Sequence, residues 1–178
     1  MNRKPLTAAI AAIALALPLN AIAAFDAFLK LDGVEGESTD AGHKGEINID
    51  SWSFGATHGT SAGGSASGQA AGRSCFSDLN VTKRFDKASP VLFLKLATGA
   101  HIPKGVITVR KAGGTQQEYL VLTMSDVIIS SIQHGSGGDS PTESVSFNYS
   151  ALNIEYHPQG SDGQLLPAVQ TTVSATKC

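Results

Sequence analysis

Downstream of residue 24 the apolar side chains recur mostly at every second position, the spacing that sets one face of an extended chain against a core. In 24–32, Phe25, Ala27, Leu29 and Leu31 share one parity and Asp26, Lys30 and Asp32 the other, with Phe28 out of step. Ile47 and Ile49 alternate likewise, but Trp52 and Phe54 fall on the opposite parity. That phase change predicts a bulge near Asp50 and Ser51, or a strand covered on both faces. A second one divides 144–157, where Val145, Phe147 and Tyr149 give way to Leu152, Ile154 and Tyr156. A bulge near Ser150 and Ala151 would let this strand pass from one sheet to another. Further strands are expected at 106–111, 118–124, 126–133 and 168–174. With glycine-rich turns at 111–115 and 135–139, the pattern calls for a mainly-β antiparallel fold of two facing layers or a closed barrel.

One helix interrupts the strands. Ser89 is a candidate N-cap, Pro90 suits the first helical position, and Gly99 can take the left-handed conformation that ends the run. Val91, Leu92, Phe93, Leu94, Leu96 and Ala97 surround a single Lys95, so the helix is apolar nearly all round and needs cover on more than one side. That cover is either its own domain's core or a neighbouring subunit. The stretch 55–72 is glycine, serine and alanine with almost no bulky side chain, and reads as a loop that packs no core.

The N-terminus is a separate unit. Arg3 and Lys4 precede an apolar run over 6–19, followed by Ala21-Ile22-Ala23, which has the small-x-small form of a signal-peptidase site. The run is shorter than the roughly 20 residues a spanning helix needs, and Pro18 interrupts its end. Residues 1–23 are therefore expected to be a cleaved signal peptide and 24–178 a single exported domain, periplasmic or extracellular. Removing Arg3 and Lys4 leaves 11 of the 13 Lys and Arg against 15 Asp and Glu, a formal charge of −4. Such a surface has no attraction for nucleic acid or anionic lipid.

Both cysteines, Cys75 and Cys178, survive cleavage and reach an oxidising compartment, which suggests a disulfide. Within one chain it would close a loop of about 100 residues, for which chain entropy allows roughly 4 to 5 kcal/mol as an upper figure. Cys178 is the last residue, so a cross-link to a neighbouring subunit is the other arrangement.

Catalytic signatures are weak. Gly59-Thr60-Ser61-Ala62-Gly63 has the spacing of a hydrolase nucleophile elbow but lacks the strand and helix that would hold the serine exposed. The histidines, His43, His58, His101, His134 and His157, lack paired metal-ligand spacing, and His43 reads as a turn or interface residue. Asp32 with Glu35, and Asp139 with Glu143, read as solvated loop charges. Asn80-Val81-Thr82 and Asn148-Tyr149-Ser150 match the glycosylation pattern only formally. No catalytic residue, metal ligand or cofactor site is assigned.

Several ordered blocks carry a family resemblance. They are Ala24-Phe25-Asp26-Ala27-Phe28-Leu29-Lys30-Leu31-Asp32-Gly33 with Gly36-Glu37-Ser38, then Gly42-His43-Lys44-Gly45-Glu46-Ile47, then 74–102, and lastly Arg110-Lys111-Ala112-Gly113-Gly114 leading into Gln116-Gln117-Glu118-Tyr119-Leu120. Together they resemble Hcp, the haemolysin-coregulated tube protein of type VI secretion, over nearly all of 24–159. The resemblance implies an antiparallel two-sheet β-barrel with one short α-helix at its side, hexameric rings, and rings stacked into a tube. It further implies an extended loop, here 55–72, that reaches neighbouring rings, a lumen holding small effector proteins, and sheath and spike components as partners. A signal sequence departs from that family, as does the terminus at 165–178. The second reading is accordingly an exported Hcp-like protein that forms rings or filaments, or acts as a binding module, without a contractile sheath.

Overall fold

The computed structural model describes residues 25–61, 70–111, 116–137 and 140–175. The expected signal peptide, the end of the chain at Cys178 and Asp139 lie outside these residues.

Nine strands form one antiparallel sheet system: β1 (Phe25–Leu31), β2 (Ile47–Ile49), β3 (Ser51–Ser53), β6 (Leu79–Arg84), β7 (Ile102–Lys111), β8 (Glu118–Ser136), β9 (Pro141–Asn148), β10 (Ala151–Tyr156) and β11 (Val169–Ser174). Their path runs β2-β1-β7-β8-β9-β6-β3. Its two ends, β2 and β3, are consecutive pieces of one stretch broken only at Asp50, so the path closes on itself as a barrel. Asp50 is the expected corner; its N–H turns aside to Thr82 O at 2.7 Å. The other break, expected near Ser150 and Ala151, falls at Tyr149 and Ser150, where β9 hands over to β10.

β8 is a single strand of 19 residues, in contrast to the two expected on either side of Ser125. Its first half pairs with β7 and β10, its second with β9. Asp126, with φ of 51°, absorbs the change of direction, which lets one strand serve both sheets. β10 and β11 then continue one sheet beyond the barrel as a hairpin-like wing, with β11 at its edge.

The core follows the predicted parity. Leu29, Ile47, Leu79, Ile107, Leu122, Met124, Val145, Phe147 and Leu152 are buried in one cluster. Phe28, out of step in the sequence, is also buried, but on the outer face of β1. The extended stretch 35–46 covers that face, held by Ser38 N–H to Glu46 O at 2.9 Å and Gly36 N–H to Gly45 O at 2.8 Å. Gly36 is required there, because a Cβ would lie 2.3 Å from Glu46 O.

In the stretch 55–72 read as a loop, the described residues enter a two-stranded ribbon, β4 (Ala56–Ser61) paired with β5 (Ala70–Phe76), and 62–69 lie outside the described residues. Backbone pairing needs no apolar face, so this sequence can pair without a hydrophobic period, and the ribbon shares no pairing with the barrel. The helix α1 spans Ser89–Thr98, and Gly99 adopts the left-handed cap at φ of 63° as expected. Ser89, however, is its first residue and not its N-cap.

Candidate assembly surfaces

The start of α1 is fixed by a buried ionic cluster that sequence reading missed. Lys83 and Glu143 face each other across the β6–β9 pairing, both on the inward parity of their strands. Lys83 Nζ donates to Glu143 Oε1 at 2.7 Å, Asp86 Oδ1 at 2.7 Å and Arg84 O at 2.8 Å, and lies 3.1 Å from Ser89 Oγ. Ser89 Oγ donates to Glu143 Oε1 at 2.8 Å and accepts the Asp86 N–H at 3.0 Å. This corrects two expectations: Glu143 is a buried partner of Lys83 and not a solvated loop charge, and the Ser89 hydroxyl serves this cluster. The N-cap is Ala88, with no side-chain cap bond, and the turn leading into it is held by the Asp86 carboxylate, which accepts the Ala88 N–H at 2.9 Å. A buried ion pair of this kind contributes little net stability when intact, but losing one partner strands a charge in the core.

Held this way, α1 buries Leu92 and leaves Val91, Phe93 and Leu94 outside, Phe93 at 52% and Leu94 at 62% exposure. Phe85, also 52% exposed, and Phe93 flank the His134 ring at 5.6 and 5.8 Å between centroids. His134 Nδ1 in turn lies 3.3 Å from Glu143 Oε2. The result is an apolar and aromatic platform over a rigid ionic base. A helix apolar all round has thus found only half its cover within the subunit.

A second site locks the stretch 35–46 onto the barrel. His43 stacks on Phe28 at 4.2 Å between centroids, and the Arg110 guanidinium lies 4.8 Å from the centroid of the same Phe28 ring. His43 Nδ1 meets Glu46 Oε2 at 2.9 Å and Nε2 faces Glu118 Oε1 at 3.3 Å. Arg110 reaches Asp40 through both terminal nitrogens and Asp26 through Nε at 3.3 Å. The Asp40 carboxylate, hydrogen-bonded by Arg110 and by the Gly42 and His43 N–H groups, is held down at a pKa of about 2 despite partial burial. His43 is therefore a buried structural residue at a turn, and its stacked environment explains why a histidine stands there.

The β4–β5 ribbon rests on a defined base. Ser77 Oγ accepts the Gly55 N–H at 2.8 Å and donates to Gly55 O at 3.0 Å. The Tyr149 hydroxyl donates to Ser77 O at 3.1 Å, and its burial, with the Asp78 charge, raises its pKa. Beside this base is an open cleft of about 610 Å³ touching Cys75, Phe76 and Asn148. Cys75 is half-buried on β5, and no free cysteine occurs among the described residues. Cys178 lies outside them.

The remaining candidate residues do not converge. His58 meets Ser74 Oγ at 2.9 Å, His101 meets Asp126 at 2.8 Å and His157 meets Glu155 at 3.0 Å, each at a different place. Among the described residues no group of three or more His, Cys, Asp or Glu side chains is placed to hold a metal. Ser61 pairs with Ala70 in the ribbon, and no helix follows it as a nucleophile elbow requires. Asn80 and Asn148 sit on β6 and β9, with Asn148 Nδ2 donating to Asp78 at 3.2 Å. Among the described residues no helix is long and apolar enough to cross a membrane.

The family described as "Type VI secretion system effector, Hcp" matches residues 28–156, most of the chain. Protein hcp1 of Pseudomonas aeruginosa is 43% identical over 143 residues, covering 79% of this chain and 88% of that protein. Among solved structures, a type six secretion system protein superposes with a TM-score of 0.80 at 30% identity, over 85% of this chain and 96% of the other. Hcp1 from Salmonella typhimurium superposes with a TM-score of 0.68 at 31% identity, over 85% and 94%. β11 lies beyond the residues matched by the family.

Proposed function

Because this chain belongs to the Hcp family of type VI secretion proteins, we propose that it acts as a structural subunit whose copies close into hexameric rings and stack into a tube. The observation that carries this reading is the outer face of α1. Val91, Phe93 and Leu94 stand exposed on a helix whose base is rigidly fixed, a surface suited to subunit contact and of no use to a monomer. A ring needs a heterologous contact whose rotation closes, and a tube needs a further surface that stacks. The β4–β5 ribbon suits the second task, because it projects from the barrel without contributing to its core. Small effector proteins in the lumen, and sheath and spike components outside, belong to the same proposal; catalysis does not.

The N-terminal segment favours a second reading, in which the product is exported on its own and assembles outside the cytoplasm. Residues 1–23 would be cleaved as a signal peptide and 24–178 would form the mature domain. Cell fractionation separates the two readings: a periplasmic or extracellular product present without any sheath supports independent export, and a cytoplasmic product that leaves only with a working sheath supports injection. We further propose that Cys75 and Cys178 are joined, within one chain or between neighbours. Mass analysis of non-reduced protein should show the loss of two hydrogens per pair or a covalent multimer, and two alkylatable thiols in the exported protein would end that proposal.

A further inference from the structure

Two peripheral elements come together at one corner of the barrel. The β4–β5 ribbon shares no pairing with the barrel and stands on the contacts between Gly55 and Ser77. β11 is an edge strand paired with β10, and it lies beyond the residues matched by the family. At its end the Ala175 N–H donates to Ser150 O at 2.8 Å, which seats the last described residue on the corner between β9 and β10. The same corner reaches the base of the ribbon: the Tyr149 hydroxyl donates to Ser77 O, and Asn148 lines the cleft that Cys75 also lines.

Three residues carry the chain from Ala175 to Cys178. They extend at most about 11 Å, and a disulfide adds about 4 to 7 Å between its two Cα atoms, so Cys178 is confined to the neighbourhood of this corner. Cys75 meets that neighbourhood, because it shares its cleft with Asn148 of its own barrel wall, and no free cysteine occurs among the described residues. The charges agree as well: the one charged residue lining the cleft is Asp78, and the residue before Cys178 is Lys177. A tether this short gives the chain's own Cys178 the advantage of effective concentration over a neighbour's.

We propose that residues 176–178 turn into this cleft, that Cys75 and Cys178 of one chain are bonded there, and that the bond is a redox-controlled strap fixing the ribbon to the barrel. The bond forms by thiol–disulfide exchange: the two thiols give up two protons and two electrons, which leave on the two thiols released from an incoming disulfide. In a reducing compartment both thiols persist, and the ribbon relies on the hydrogen bonds at its base. Oxidation after export thus stiffens the ribbon before rings stack. The inference rests on the cysteine pairing and the stacking role proposed above, and adds which arrangement the pair takes and what it controls.

The exported protein, alkylated before and after reduction, and a Cys178→Ser variant test this. The intact mass of the non-reduced protein should be that of one chain less two hydrogens. In hydrogen exchange the amides of 56–61 and 70–76 should open about tenfold or more faster once the protein is reduced, and equally fast in Cys178→Ser, while those of β6 and β9 keep their rates. Covalent multimers would overturn the strap and leave the pairing; two alkylatable thiols would overturn both. A single-chain bond whose reduction leaves ribbon exchange unchanged overturns the strap too. Where rings form, oxidised protein should stack at lower concentration than reduced protein. If ribbon exchange responds and stacking does not, the strap stands and the ribbon is not the stacking surface. The exchange measurement needs no ring, so a monomeric parent decides the strap as well as an assembling one.

Discussion

The barrel and the β4–β5 ribbon follow opposite rules. In the barrel wall inward apolar residues interlock, and an inward charge pair, Lys83 with Glu143, is matched across adjacent strands. The ribbon carries Ala, Gly, Thr and Ser for most of its length, shares no pairing with the barrel and is fastened at its base by Ser77 and Gly55. One region holds itself together through its core, and the other is joined to it through hydrogen bonds at its base. Contact outside the subunit is the role proposed for both this segment and the exposed face of α1.

Breaking the barrel's buried pair should cost most. Lys83→Met removes the ammonium partner of the buried Glu143, an expected loss of about 3 to 5 kcal/mol in urea unfolding, most of which a combined Lys83→Met and Glu143→Leu variant should recover. Next is Leu92→Ala, which removes a fully buried side chain beneath α1 and should cost about 2 to 5 kcal/mol. Gly99→Ala forces a β-carbon into the left-handed region and should cost about 1 to 2 kcal/mol without altering assembly of the folded protein.

Acid should act first on the stretch 35–46. The Asp40 pKa falls from 3.8 to about 2 in the folded protein, so its stabilising contribution is complete above 3.8 and is lost as pH drops toward 2. An Asp40→Asn variant should therefore show a shallower loss of stability than the parent across that window. The smallest effect on stability should come from the ribbon: replacing 59–72 by a short turn should leave melting unchanged, yet reduce tubes while sparing rings.

Legibility in the sequence divides along the same line. The two parity changes, read near Asp50 and Ser51 and near Ser150 and Ala151, fall within a residue of the observed breaks at Asp50 and at 149–150, because a core on one face leaves a period that can be followed and seen to slip. Pro90 and Gly99 likewise bounded α1. β6 was obscured because its inward Lys83 breaks apolar alternation, and its meaning depends on Glu143, a partner far away in sequence. The ribbon has no apolar face and so leaves no period to read. β8 looked like two strands because Ser125 and Asp126 resemble a turn, whereas Asp126 only bends a continuous strand. The role of Phe28 became clear only with His43 and Arg110 placed around it.

The central claim is that function here arises from self-assembly of a rigid barrel. Its most direct test is sedimentation velocity combined with negative-stain microscopy of the protein from Ala24 to Cys178, at increasing concentration and under both oxidising and reducing conditions. The account predicts closed rings under both conditions, with stacking appearing at higher concentration. Protein that stays monomeric at high concentration under both would contradict it.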